Sequence, residues 1–94
     1  MAAKLSDPEI EQRLGDLVDW ALDGPQIRKT FQLASFPMAI GFVTQVGFLA
    51  EAAEHHPDID IRWRNVTLVL STHDAGGLTT KDFDLAAQID EILG

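Results

Sequence analysis

Asp58-Ile59-Asp60-Ile61-Arg62-Trp63-Arg64-Asn65-Val66-Thr67-Leu68-Val69-Leu70 alternates apolar and polar side chains along its length. Successive strand residues point to opposite faces, so this alternation is the mark of a half-buried β-hairpin. With Arg64-Asn65 as the two turn residues, Trp63 faces Val66, Ile61 faces Leu68 and Ile59 faces Leu70, which makes one side wholly apolar. The same register sets Arg62 beside Thr67, Asp60 beside Val69, Asp58 beside Ser71 and His56 beside His73. A one-residue slip would divide the apolar set between the two faces. The hairpin is therefore expected to bring together His55-His56-Pro57, just before it, and His73 of Ser71-Thr72-His73-Asp74, just after it. Those are the chain's 3 histidines, and imidazole is the side chain whose unperturbed pKa lies nearest neutral pH.

Upstream of the hairpin, Ser35 is expected to cap a long helix over roughly residues 36–54, with Pro37 tolerated in its first turn. Phe36, Met38, Ile40, Phe42, Val43, Val46, Phe48 and Leu49 surround most of that helix, leaving a narrow polar strip near Thr44, Gln45 and Glu51. A surface helix is normally polar over about half its girth, so one face is expected on the sheet and part of the other on a partner subunit. Gly41 and Gly47 each cost roughly 1 kcal/mol against alanine, a cost that close packing would offset.

Trp20 to Leu33 reads as a second hairpin turning around Asp23-Gly24-Pro25. Ile27, Lys29, Phe31 and Leu33 share one side of it, and only Lys29 breaks the pattern. Ahead of it, Ser6-Asp7-Pro8-Glu9 reads as a capped helix start with a capping box, and Ile10, Leu14, Leu17 and Val18 form its apolar stripe. Near the end of the chain, Thr79 caps a third helix with Phe83, Leu85, Ala86, Ile89, Ile92 and Leu93 inward and Asp82 in the dipole-favoured first turn. The order is α-β-β-α-β-β-α. Two hairpins joined into a four-stranded antiparallel sheet, with the three helices packed on one face, give an α+β fold.

The bulk properties agree with one domain over residues 1–94, with 46% hydrophobic and 23% charged residues. There is no cysteine, hence no thiolate nucleophile, thiolate metal site or disulfide framework. A net charge of −8 with scattered Lys and Arg argues against direct nucleic-acid binding. No apolar run approaches the ~20 residues of a membrane span, and the first residues lack the apolar core of a signal peptide. The expected compartment is the cytoplasm.

At the helix-to-strand junction, Glu51 and His55 lie four apart and so on one helical face, while His56 points toward His73. Pro57 ends the helix and fixes the exit of the chain. The loop Asp74-Ala75-Gly76-Gly77 allows backbone to approach a ligand closely. Imidazoles among carboxylates suit proton transfer, because neighbouring carboxylates favour imidazolium and burial disfavours it. The same set could hold zinc, although adjacent histidines on a helix end diverge by about 100° and seldom chelate one ion. The plain alternative is that all three are polar residues at a junction.

These residues resemble the pterin-4a-carbinolamine dehydratase family from Trp20 to about Ile92. The likeness is densest in Phe31-Gln-Leu-Ala-Ser-Phe36, Gly41-Phe42, Ala50-Glu51, Glu54-His55-His56-Pro57, Leu70-Ser71-Thr72-His73, Gly77-Leu78-Thr79, Asp82 and Leu85-Ala86. It implies removal of water from 4a-hydroxytetrahydropterin, formed when aromatic amino acid hydroxylases use tetrahydropterin, to give quinonoid dihydropterin with no metal or organic cofactor. By that resemblance His55, His56 and His73 are the catalytic set, with His55 and His73 as acid–base pair and His56 orienting the pterin. Glu51, Glu54, Ser71, Thr72, Asp74 and Asp82 match positions that contact substrate or orient the histidines, Glu51 being expected to orient His55. The resemblance also implies a homodimer or homotetramer built from edge strands and the long helix. Departures are Ala52, where relatives often have Lys, Ile59, where a bulky aromatic is common, and a shorter first hairpin. They bear on substrate preference and rate. Two other functions stay open: a dimerisation cofactor for a transcription factor using the long helix, and a metal-dependent hydrolase.

Overall fold

The computed structural model describes residues 3–94. Its elements are α1 (Asp7–Gly15), β1 (Ala21–Asp23), β2 (Gln26–Gln32), α2 (Phe36–Ala53), β3 (Asp58–Arg62), β4 (Asn65–Leu70), a short 3-10 turn (His73–Ala75) and α3 (Thr80–Ile92). The expected order α-β-β-α-β-β-α is therefore present, and the four strands form one antiparallel sheet in the order β1-β2-β4-β3. Ile27, Phe31, Val66, Leu68 and Leu70 of the sheet meet Ala39, Phe42, Val46 and Ala50 of α2 and Phe83, Leu85, Ala86 and Ile89 of α3 in one core.

Local chemistry accounts for the helix ends. Ser6 and Glu9 complete the capping box of α1, and the hydrogen bonds from Ser6 hold the Glu9 carboxyl below its ordinary pKa of 4.5. The helix then stops at Gly15, one turn earlier than its apolar stripe suggests. Leu17 lies beyond it, half-buried, and Val18 is 70% exposed. Ser35 caps α2 by accepting from the Met38 amide. Thr79 caps α3, whose inward side is as expected except for Leu93, which falls past the last turn and is exposed.

Lys29, the odd member of the β2 apolar face, is accommodated by an ion pair of 3.0 Å to Asp90 and by packing 4.6 Å from the Phe31 ring centre. Trp20 donates its indole N–H to the same carboxylate at 3.1 Å. That cluster ties the first hairpin to the last turn of α3.

The second hairpin differs from its expected register by two residues. Ile61 pairs with Val66, Ile59 with Leu68 and Asp58 with Val69, so the turn residues are Trp63-Arg64. A two-residue shift leaves every side chain on its original face, and the apolar pattern is silent about it. The neighbouring strand decides: Gln32 pairs with Asn65 and the Leu33 amide donates to the Arg64 carbonyl at 2.9 Å, which fixes where β4 begins. Trp63 consequently takes a left-handed φ of 56°, unfavourable for a bulky residue, with the Arg64 guanidinium 4.9 Å over its ring.

α2 is also less enclosed than a core helix. Phe36, Met38, Ile40 and Phe48 are exposed, Phe48 by 74%, and on the edge strand β3 so are Ile59 and Ile61. Within the single chain nothing packs closely on Gly41 or Gly47: a methyl group at either would meet nothing within 4 Å. At 18 residues and a mean hydropathy of 1.3, α2 is long and apolar enough by composition to cross a bilayer. Its Ala39, Phe42, Val46 and Ala50 face is, however, packed into the domain core.

Candidate functional site

The site is built where α2 ends. Glu54 closes that helix in the left-handed conformation, φ 51°, and its amide reaches back to the Ala50 and Glu51 carbonyls. The His55 amide donates to the Ala50 carbonyl at 3.0 Å. This is a Schellman-type ending with glutamate where glycine is usual. It redirects the next two residues: His55 turns into the protein and is buried, while His56 stays outside. The helical spacing that would join Glu51 to His55 is thereby broken. Glu51 Oε1 lies instead 2.8 Å from His56 Nε2, in an exposed pair worth at most about 1 kcal/mol.

His55 has a different carboxylate. Its Nε2 lies 2.6 Å from Oδ1 of Asp82, a side chain with no solvent exposure. The other oxygen, Asp82 Oδ2, accepts from the Thr72 hydroxyl at 2.8 Å and from the Thr79 amide at 2.9 Å. With the Thr72 proton committed to Asp82, the Thr79 hydroxyl donates to Thr72 Oγ1 across 2.8 Å. Asp82 thus serves as capping-box residue for α3 and anchor for His55 at once. Facing a carboxylate oxygen, Nε2 carries a proton, which leaves Nδ1 as the ring nitrogen free to exchange one.

The third imidazole arrives from the far end of the hairpin. Thr72 and Gly77 form a two-way backbone bridge, with N–H to carbonyl distances of 3.1 and 3.3 Å, that closes the loop around His73. Gly76 turns it with φ 76°. Behind the loop, the Leu5 amide donates to the Leu78 carbonyl at 2.8 Å, and the Lys4 stem lies 3.0 Å from where a Gly77 side chain would begin.

His55, His56 and His73 line a single open cleft of about 330 Å³ with Glu54, Ser71, Thr72, Asp74 and Lys81. The histidines do converge, though by the path of the chain at the helix end and the loop rather than by the ladder register, since β3 starts at Asp58 and β4 stops at Leu70. Glu51 and Asp82 stand outside the lining, each holding one histidine. Lys81 was not anticipated from the sequence. Its signal was a cation in the first turn of a helix, against the macrodipole. Among the described residues no three His, Asp or Glu side chains are arranged to hold a metal ion. A wider depression of about 730 Å³, on the sheet face opposite the helices, is lined by Arg28, Thr30, Asp60 and Arg62 among others and contains no histidine.

Comparison with known proteins shows which family the chain resembles. The family model described as Pterin 4 alpha carbinolamine dehydratase matches residues 3–92. A candidate pterin-4-alpha-carbinolamine dehydratase of Roseiflexus castenholzii is 76% identical over 93 residues, covering 99% of this chain and 100% of that protein. One from Acidobacterium capsulatum is 50% identical over 91 residues, 97% of this chain and 99% of its own. Among solved structures, a transcriptional coactivator/pterin dehydratase from Brucella melitensis superposes with a TM-score of 0.92 at 31% identity, covering 97% of this chain and 99% of that one. A pterin dehydratase-like protein identified as a RuBisCO assembly factor shares the fold, with a TM-score of 0.66 at 22% identity over 80% of this chain and 87% of its own.

Proposed function

Because this chain belongs to the pterin-4-alpha-carbinolamine dehydratase family, we propose that it dehydrates 4a-hydroxytetrahydropterin to quinonoid dihydropterin by histidine acid–base catalysis. In the cytoplasm this step would return the pterin cofactor of aromatic amino acid hydroxylases to use. The observation that carries the reading is the arrival of all 3 histidines of the chain in one cleft beside the carboxylates of Glu54 and Asp74.

The chemistry asks for two proton transfers. The C4a–O bond breaks as the C4a=N5 double bond forms; one imidazolium protonates the departing hydroxyl, and another imidazole takes the proton from N5. Atoms balance with water as the only by-product, and the side chains suffice for both transfers. His55 and His73 are assigned as that pair: His55 is held rigidly by Asp82, and His73 makes no side-chain hydrogen bond among the described residues. His56, steadied by Glu51, is assigned to orient the pterin, with Ser71, Thr72, Glu54 and Asp74 as its polar contacts. Each positioned acid or base is worth about 10²–10⁴-fold.

The test is stopped-flow ultraviolet absorbance of 4a-hydroxytetrahydropterin decay, with native protein and His73→Ala, both in chelator. Acceleration by the native protein, reduced at least about 10²-fold by the substitution, is the expected result. Decay at the spontaneous rate with folded native protein overturns the proposal.

The apolar flank of α2 favours a second activity, association. Phe36, Met38, Ile40 and Phe48, with Ile59 and Ile61 on the edge strand β3, are exposed; we assign these side chains to a homodimer or homotetramer. A role as a non-catalytic dimerisation cofactor for a transcription factor would use the same flank, and the Brucella relative is named in part as a transcriptional coactivator. Replacing all three histidines separates the roles, because catalysis then vanishes while association survives.

A further inference from the structure

Four of the chain's basic side chains are ion-paired away from the histidine cleft. Of the 7 Lys and Arg residues, Arg13, Arg28, Lys29 and Arg62 each pair with an aspartate. Arg64 stacks on Trp63, and the Lys4 stem covers Gly77. Lys81 alone stands in the histidine cleft, and it forms no ion pair among the described residues. Its position is locally unfavourable, since a cation in the first turn of α3 opposes the helix dipole. A charge placed where local preference opposes it points to work done by its side chain.

The other charges in the cleft without an ion pair among the described residues are the carboxylates of Glu54 and Asp74. Two acceptors and one cationic donor are the complement of one edge of a pterin. Its pyrimidinone ring presents two donors, the 2-amino group and N3–H, next to one acceptor, the 4-oxo oxygen on the carbon adjoining the reacting C4a. Resting on the dehydratase reading, we propose that the Lys81 ammonium donates to the 4-oxo group of the pterin while Glu54 and Asp74 accept from its donor edge. Lys81 is thus a substrate-contacting residue that fixes which way the ring lies across the histidines and makes the site selective for a 4-oxo ring. No proton is transferred to or from it.

The experiment compares Lys81→Met and Lys81→Arg with native protein in two assays. In fluorescence titrations with pterin and with 2,4-diaminopteridine, which carries a donor in place of the 4-oxo acceptor, native protein should favour pterin. Lys81→Met should bind pterin at least about tenfold more weakly, as loss of one charge-assisted hydrogen bond predicts. It should also lose the preference, and Lys81→Arg should keep most of it. In turnover, Lys81→Met should raise KM by a similar factor with a smaller change in kcat. Native-like affinity, preference and KM in Lys81→Met, from protein that dehydrates the carbinolamine normally, overturn this assignment alone. A native protein that binds pterin selectively through Lys81 yet accelerates no dehydration would support the contact and sink the reaction. Failure of native protein to bind either ring overturns both.

Discussion

Asp82 shows how much one side chain carries here. Its carboxylate has no exposure, caps α3 through the Thr79 amide, accepts from Thr72 and faces His55 Nε2 at 2.6 Å. Removing it leaves several buried donors without a partner, each costing about 1–3 kcal/mol. Asp82→Ala is therefore expected to lower unfolding free energy by about 3 kcal/mol or more, measured by urea denaturation. Asp82→Asn keeps the volume and one acceptor, so the fold should persist with a smaller loss. Its effect should fall on kcat, by at least about tenfold, because the imidazole loses the anion that sets its tautomer. Equal kcat in native and Asp82→Asn protein would show that the contact only stabilises the fold.

At the scale of elements, the informative feature is the end of α2. Glu54 holds a left-handed conformation, φ 51°, at a position where glycine is the usual occupant. An ordinary residue pays roughly 1–2 kcal/mol there, partly offset by glycine's greater freedom in the unfolded chain. Glu54→Gly should therefore raise stability by about 0.5–1 kcal/mol, a gain of a few degrees in melting temperature. The same variant should bind pterin more weakly if the carboxylate serves the cleft. Unchanged binding with higher stability would remove Glu54 from the site. The cap also explains why helical spacing misassigned Glu51: the i, i+4 rule applies only while the helix continues, and it ends before His55.

For the whole molecule, the decisive feature is the exposed apolar side chains of α2 and of the edge strand β3. Phe48 is 74% exposed, and within the chain nothing lies within 4 Å of a methyl group at Gly41 or Gly47. Large apolar side chains exposed in this number suit an interface. Phe48→Asp is expected to shift the solution mass, measured by light scattering after size exclusion, down to that of a single chain or a smaller assembly. The charge falls on an exposed side chain, so circular dichroism should be unchanged. A native protein that is already monomeric at micromolar concentration would overturn the assignment of this surface to self-association.

The α+β class, the element order, the capping residues of α1, α2 and α3 and most of the core were legible in the sequence alone. Apolar periodicity and capping are local properties of a chain, and Ser6, Ser35, Thr79 and the inward residues of β2, β4 and α3 act through their immediate neighbours. The grouping of His55, His56 and His73 was legible for a similar reason: the hairpin had to return the chain to its starting end. Only the tertiary structure decided the rest. The turn at Trp63-Arg64 depends on β2, since a shift of two residues preserves every face. The pairing of His55 with Asp82 and of His56 with Glu51 depends on a left-handed residue at the helix end. Lys81 enters the cleft because α3 starts beside the His73 loop. Each of these rests on contacts between segments far apart in the chain or on a single backbone angle, and neither leaves a periodic trace in the order of the residues.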